Sequence, residues 1–136
     1  MFYPASPDAL ERNVRAMLAA SPRIAEADSI IGIIAPHAGY MYSGETAARA
    51  YAQMAGSRRK VVVVVSPSHR DYFDGVSVFP GDAYATPLGT VPVDTELRAT
   101  LVRESLILMS TAGHGEEHAL EVQLPFLQTV LKDFRL

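Results

Sequence analysis

Lys60-Val61-Val62-Val63-Val64-Val65-Ser66-Pro67-Ser68-His69 decides how this chain is read. Five consecutive β-branched residues favour the pleated conformation and disfavour helix, so Val61 to Val65 is expected to form a strand. It is apolar on both faces, which points to a strand buried in a parallel-type sheet. Ser66-Pro67 ends it, because proline has no N–H to give to a ladder, and His69 follows in the loop. The same design occurs once before, in Ile30-Ile31-Gly32-Ile33-Ile34-Ala35-Pro36-His37-Ala38-Gly39-Tyr40. Between the two, Ser43-Gly44 is expected to cap an alanine-rich helix from Glu45 to about Met54, stopped by Gly56. Strand, helix and strand then make a right-handed crossover. Ligands of open α/β sheets bind beyond the carboxyl ends of the strands, so His37 and His69 are expected to point at one metal site.

Outward from this centre the periods alternate. Ser6-Pro7-Asp8 reads as a helix start, with Leu10, Val14, Met17 and Leu18 at helical spacing and an end near Ser21-Pro22. After His69, short strands and turns are expected at Val76-Ser77-Val78-Phe79, around Tyr84 and through Thr86 to Val93. Asp94 can cap a helix carrying Leu97, Leu101 and Val102, and Leu106 to Met109 reads as one more short strand. A last helix from about Glu116 carries Leu120, Leu124, Leu127 and Leu131, with Pro125 kinking or restarting it.

Composition limits what such a site can be. The chain has 136 residues, 49 % hydrophobic and 20 % charged, with a net charge of −3, which suits a single soluble domain over residues 1–136. Nothing in that charge suggests a nucleic-acid partner. Absence of cysteine excludes disulfides, thiolate zinc sites and cysteine nucleophiles within this stretch. No apolar run approaches the roughly 18 residues needed to cross a bilayer and no signal pattern opens the chain, so no membrane partner and a cytoplasmic location are expected. The chain stops at Phe134-Arg135-Leu136, where another strand would begin, so the sheet is expected to be incomplete.

Four ordered segments carry a family resemblance: Ala35-Pro36-His37-Ala38-Gly39-Tyr40 with Ser43-Gly44, then Ser66-Pro67-Ser68-His69, then Thr86-Pro87-Leu88-Gly89, then Glu117-His118-Ala119-Leu120-Glu121-Val122-Gln123-Leu124-Pro125-Phe126. In order and spacing they resemble the Memo-like family, which includes the B component of the AmmeMemoRadiSam system; the opening Phe2-Tyr3-Pro4 is similar too. The resemblance implies a fold similar to the LigB-type, class III extradiol dioxygenases: a three-layer α/β/α sandwich with a mixed, largely parallel sheet, of which this chain is the N-terminal part. It also implies a mononuclear non-haem Fe(II) site, with Cu or Zn as alternatives, held by His37, His69 and a further ligand beyond residue 136. Partners implied are a small aromatic or peptide ligand, and a functional link to AMMECR-type and radical SAM proteins.

Two histidines leave a divalent ion with too few ligands, and the candidates in this chain for further donors are Glu117, His118 and Glu121 of the last motif. His118 could serve as a general base or donor, because imidazole titrates near neutral pH, and Glu121, one helical turn on, could orient its ring. Tyr40, Ser68 and Glu117 are expected to line the substrate pocket. Plainer readings stand beside these: a turn histidine with a local hydrogen bond, a solvated helix start for Glu117 and Glu121, simple packing for Tyr40. A non-catalytic peptide- or partner-binding protein is the rival function. His114-Gly115-Glu116-Glu117-His118 also matches the H-x-x-E-H zinc-protease pattern, which needs both histidines on one helix face, and Gly115 weakens a helix there.

Overall fold

The computed structural model describes residues 2–136. Its helices are α1 (Pro7–Ala19), α2 (Tyr40–Ala52), α3 (Thr95–Leu101) and α4 (Leu124–Val130), with single 3-10 turns at Ala27–Ser29 and Glu121–Gln123. Its strands are β1 (Val76–Val78), β2 (Ala83–Thr86), β3 (Gly89–Pro92) and β4 (Ile107–Met109). Among the described residues no helix is long and apolar enough to cross a membrane.

α1 begins as its sequence dictates, with Ser6 extended at the N-cap and Pro7 in the first turn, where its missing N–H costs nothing. Leu10 and Val14 then fall on one buried stripe. They meet α2 and α4 in one core with Ala47, Ala48, Tyr51, Phe126 and Leu127. The Tyr51 and Phe126 rings stack at 5.1 Å. Each large side chain removed from water here contributes about 2 kcal/mol. Half-buried Ile30, Ile33, Val62 and Val64 close this core from the other side.

The smaller elements form two separate pairs. β1 lies parallel to β4, with Val76 opposite Ile107, and β2 and β3 make an antiparallel hairpin. Asp94 caps α3 by accepting the Leu97 N–H, as its position before that helix predicts. Gly75 makes the β1–β4 pairing reachable: its φ is +86°, and a Cβ there would stand 2.3 Å from the Leu106 carbonyl oxygen. Gly75→Ala is therefore expected to cost about 3 kcal/mol, read by urea denaturation.

The central segments depart from expectation. Ile30–Ala35 and Val61–Val65 form no ladder with each other, so the crossover unit is not closed; one parallel bridge joins Val61 to Arg135. Burial alternates along the valines, with Val62 and Val64 half-buried and Val61, Val63 and Val65 exposed. Alternation is what a pleated backbone produces, so the β-branched run sets local conformation while pairing, a tertiary property, is not satisfied. Cavities of about 380 Å³, towards Ile30–Ile33, and about 670 Å³, towards β1 and α3, flank the segment. Nor are these segments buried on both faces: Ile31 and Ile34 are 97 % and 98 % exposed. α1, α2 and α4 pack against one another as one layer. The architecture is mixed α/β, with small parallel and antiparallel sheets.

Two helix boundaries also move. α2 starts at Tyr40 with Gly39 as its N-cap, five residues before Glu45, and the Ser43 hydroxyl bonds back to the Ala38 carbonyl. The last helix starts at Leu124, not near Glu116. Pro125 lies in its first turn, where proline is tolerated, and could not be carried inside a helix begun at Glu116.

Candidate metal centre

Three loops deliver the histidines to one place. His37 lies just ahead of α2, on a loop whose Pro36 carbonyl accepts a hydrogen bond from the buried Gln123 side chain at 3.2 Å. Tyr51 holds Gln123 in turn, its hydroxyl 2.8 Å from Oε1. His69 follows the valine segment, and His118 precedes the 3-10 turn that leads into α4. The His69 ring centroid is 5.2 Å from that of His37 and 5.2 Å from that of His118. The three rings lie near one another, the His37 and His118 centroids being 6.4 Å apart.

Glu117 organises the cluster. Its side chain is buried, 2 % exposed, and collects four donors: the His69 backbone N–H, the His69 ring Nδ1 at 3.0 Å, and the backbone N–H groups of His118 and Ala119, both at 2.8 Å. Burial works to raise its pKa, but these hydrogen bonds outweigh it and hold the carboxyl down to about 2. A carboxylate that accepts from Nδ1 fixes the His69 tautomer with Nε2 as the free lone pair, ready for a metal.

Ligand atoms of His69, Glu117 and His118 all lie within 4.8 Å of one another, close enough to share one ion. The donors differ in what they have left to give. A carboxylate offers roughly four lone-pair sites, and Glu117 already meets four N–H donors, so it suits the role of support to His69 better than that of ligand. Within that group His69 and His118 have ring nitrogens to offer, and His37 lies outside it, its ring 5.2 Å from that of His69 and 6.4 Å from that of His118; imidazole donors suit iron, copper or zinc.

The other candidates fall elsewhere. Glu121 accepts the Tyr3 hydroxyl at 2.5 Å, and no hydrogen bond joins it to His118 among the described residues. Tyr40 is a core residue whose hydroxyl donates to the Val122 carbonyl at 2.8 Å. Spacing carries that signal, since Tyr40, Gly44, Ala47, Ala48 and Tyr51 form the buried stripe of α2. Ser68 lines the cavity of about 670 Å³, its hydroxyl donating to the Asp71 carbonyl and accepting the Asp71 N–H within its own turn. Glu117 is buried, with its carboxylate turned to His69.

His114 stands apart from the cluster. Its Nδ1 is 2.8 Å from the Tyr84 hydroxyl and its Nε2 is 3.2 Å from the Ser77 carbonyl oxygen, and no helix carries both it and His118. The H-x-x-E-H reading therefore loses its geometry. His114→Ala is expected to leave metal binding within twofold of wild type by titration, while costing about 1 kcal/mol of stability because the Tyr84 hydroxyl loses its partner.

Comparison with known proteins gives the family. The Memo-like protein family profile matches residues 1–136. A MEMO1 family protein of Methanothermobacter thermautotrophicus is 38 % identical over 99 % of this chain and 52 % of its own length. MEMO1 family proteins of Methanosarcina barkeri and Archaeoglobus fulgidus are 41 % and 38 % identical, each over 99 % of this chain and 49 % of its own length. The chain thus spans about half the length of the curated relatives it matches, consistent with their N-terminal part. On the full-length match and these identities, the chain belongs to the Memo-like protein family.

Proposed function

We propose that the chain forms the metal-binding part of a Memo-like oxidoreductase, whose complete fold is a three-layer α/β/α sandwich of LigB type. The observation that supports this reading is the group of His69, Glu117 and His118, whose ligand atoms lie within 4.8 Å of one another, with the His37 ring 5.2 Å from that of His69 and Glu117 fixing the His69 tautomer. Fe(II) is the ion best matched to imidazole donors with open positions for an aromatic substrate bearing adjacent oxygens, with Cu and Zn as the alternatives; bound there, it would supply O₂ activation. His37 and His69 are the primary ligands. His118 is half-buried and has no hydrogen-bond partner on its ring among the described residues, so it can complete the set or take a proton from a substrate hydroxyl. A further ligand from the portion of the family sequence not spanned here would complete the site. The setting we propose is cytoplasmic, alongside AMMECR-type and radical SAM partners.

Metal analysis of the purified protein after Fe(II) loading, with O₂ uptake measured on a catechol, tests the reading. One iron per chain is expected, with both metal and uptake lost in His37→Ala and in His69→Ala. Full retention of iron in both variants would sink it. Absence of stoichiometric metal in the wild type would favour a non-catalytic cleft for a peptide or aromatic ligand.

A further inference from the structure

The three imidazoles are held by different means. Glu117 fixes the His69 ring through Nδ1, but no hydrogen bond reaches the His118 ring among the described residues; Glu117 Oε1 stands 3.5 Å from its Nδ1, too far for a well-formed bond. What touches the His118 ring is aromatic. The Phe2 ring lies parallel to it, 4.1 Å away at an interplanar angle of 6°, and the His69 ring stacks on it at 5.2 Å and 14°. Both rings lie near-parallel to the His118 imidazole at stacking distance, so its orientation is set by aromatic contact.

We propose that Phe2 is a positioning residue that sets the direction of the His118 imidazole. Its own placement is fixed at two points. The Phe2 carbonyl accepts the Tyr40 N–H at 2.8 Å, where α2 begins just after the His37 loop. Gly39 allows that approach, since a Cβ there would already stand 3.3 Å from the Phe2 carbonyl oxygen. The Tyr3 hydroxyl donates to Glu121, in the 3-10 turn that follows His118. The opening residues thus form a strap tied to the His37 loop on one side and the His118 turn on the other. Phe2 itself is 40 % exposed, so it contributes little to the core and much to this one ring.

The consequence for metal binding rests on the function proposed above; the positioning does not, and the test separates them. In metal-free protein, the His118 ring protons are expected to be shifted upfield in the NMR spectrum by the Phe2 ring current, to move downfield in Phe2→Leu, and to stay upfield in Phe2→Tyr. Identical His118 resonances in wild type and Phe2→Leu would overturn the proposal. Titration with Co(II) alone gives the second readout: Phe2→Leu is expected to weaken binding by about tenfold and alter the visible d–d bands, with Phe2→Tyr restoring both. Unchanged Co(II) affinity and spectrum in Phe2→Leu would overturn the role of Phe2 in the centre. If the wild type takes up no Co(II), the metal reading fails alone and the NMR comparison still decides. Near-equal thermal midpoints of the variants show that the fold is kept.

Discussion

Glu117→Ala is expected to abolish stoichiometric metal binding and to lower stability by about 3 kcal/mol, because it leaves the His69, His118 and Ala119 backbone N–H groups without their acceptor. The loss of metal follows from His69, whose ring keeps no partner to fix its tautomer once the carboxylate is gone. Glu117→Gln separates the two effects. It retains an acceptor for part of the amide set but lacks the charge, so stability should fall less than metal affinity does. Isothermal titration with Zn(II) or Co(II), beside urea denaturation, reads both quantities. Wild-type affinity in Glu117→Ala would show that the carboxylate does not organise the centre.

The same carboxylate predicts a pH dependence. Its folded pKa, about 2, lies below the ordinary value of 4.5, so the stability it supplies is complete above pH 4.5 and is lost as pH falls towards 2. Acid titration of the wild type should show a loss of stability in that window, and Glu117→Gln should show a flatter profile there. Metal need not be present for this measurement.

Much of the centre was legible in residues that act locally. His37 and His69 each follow a proline-stopped apolar segment, and that placement in a loop is written within ten residues of each. α1, the Asp94 cap and the short strands at Val76–Val78 and Ile107–Met109 were legible for the same reason. What the sequence concealed depends on partners far along the chain. Glu117 reads as a solvated helix start until His69, 48 residues away, supplies the donors that bury it. Glu121 has the spacing to reach His118, yet Tyr3, 118 residues away, takes its carboxylate. Phe2 shows nothing in sequence of its stacking partner. The strands at Ile30–Ala35 and Val61–Val65 fail in the opposite direction, since local propensity is strong and the neighbours needed for a ladder are not in place.

Those two segments carry the other large effect. Residues 1–136 on their own are expected to self-associate, because Ile31, Ile34, Val63 and Val65 are between 65 % and 98 % exposed on segments that line one common cavity. Beyond the Val61 bridge, the backbone N–H groups of Val63, Val64 and Val65 make no hydrogen bond among the described residues, so the valine segment offers both an apolar surface and an open edge. That combination templates edge-to-edge pairing, and its apolar side chains leave nothing to oppose it. Analytical ultracentrifugation should show oligomers that grow with concentration, accompanied by strong binding of an apolar dye. Ile34→Lys with Val65→Lys should restore a monomer at little cost in thermal midpoint, because both side chains already face water and a single charge on an edge blocks pairing. A monodisperse wild-type monomer with weak dye binding would mean that this face is quiet despite its composition.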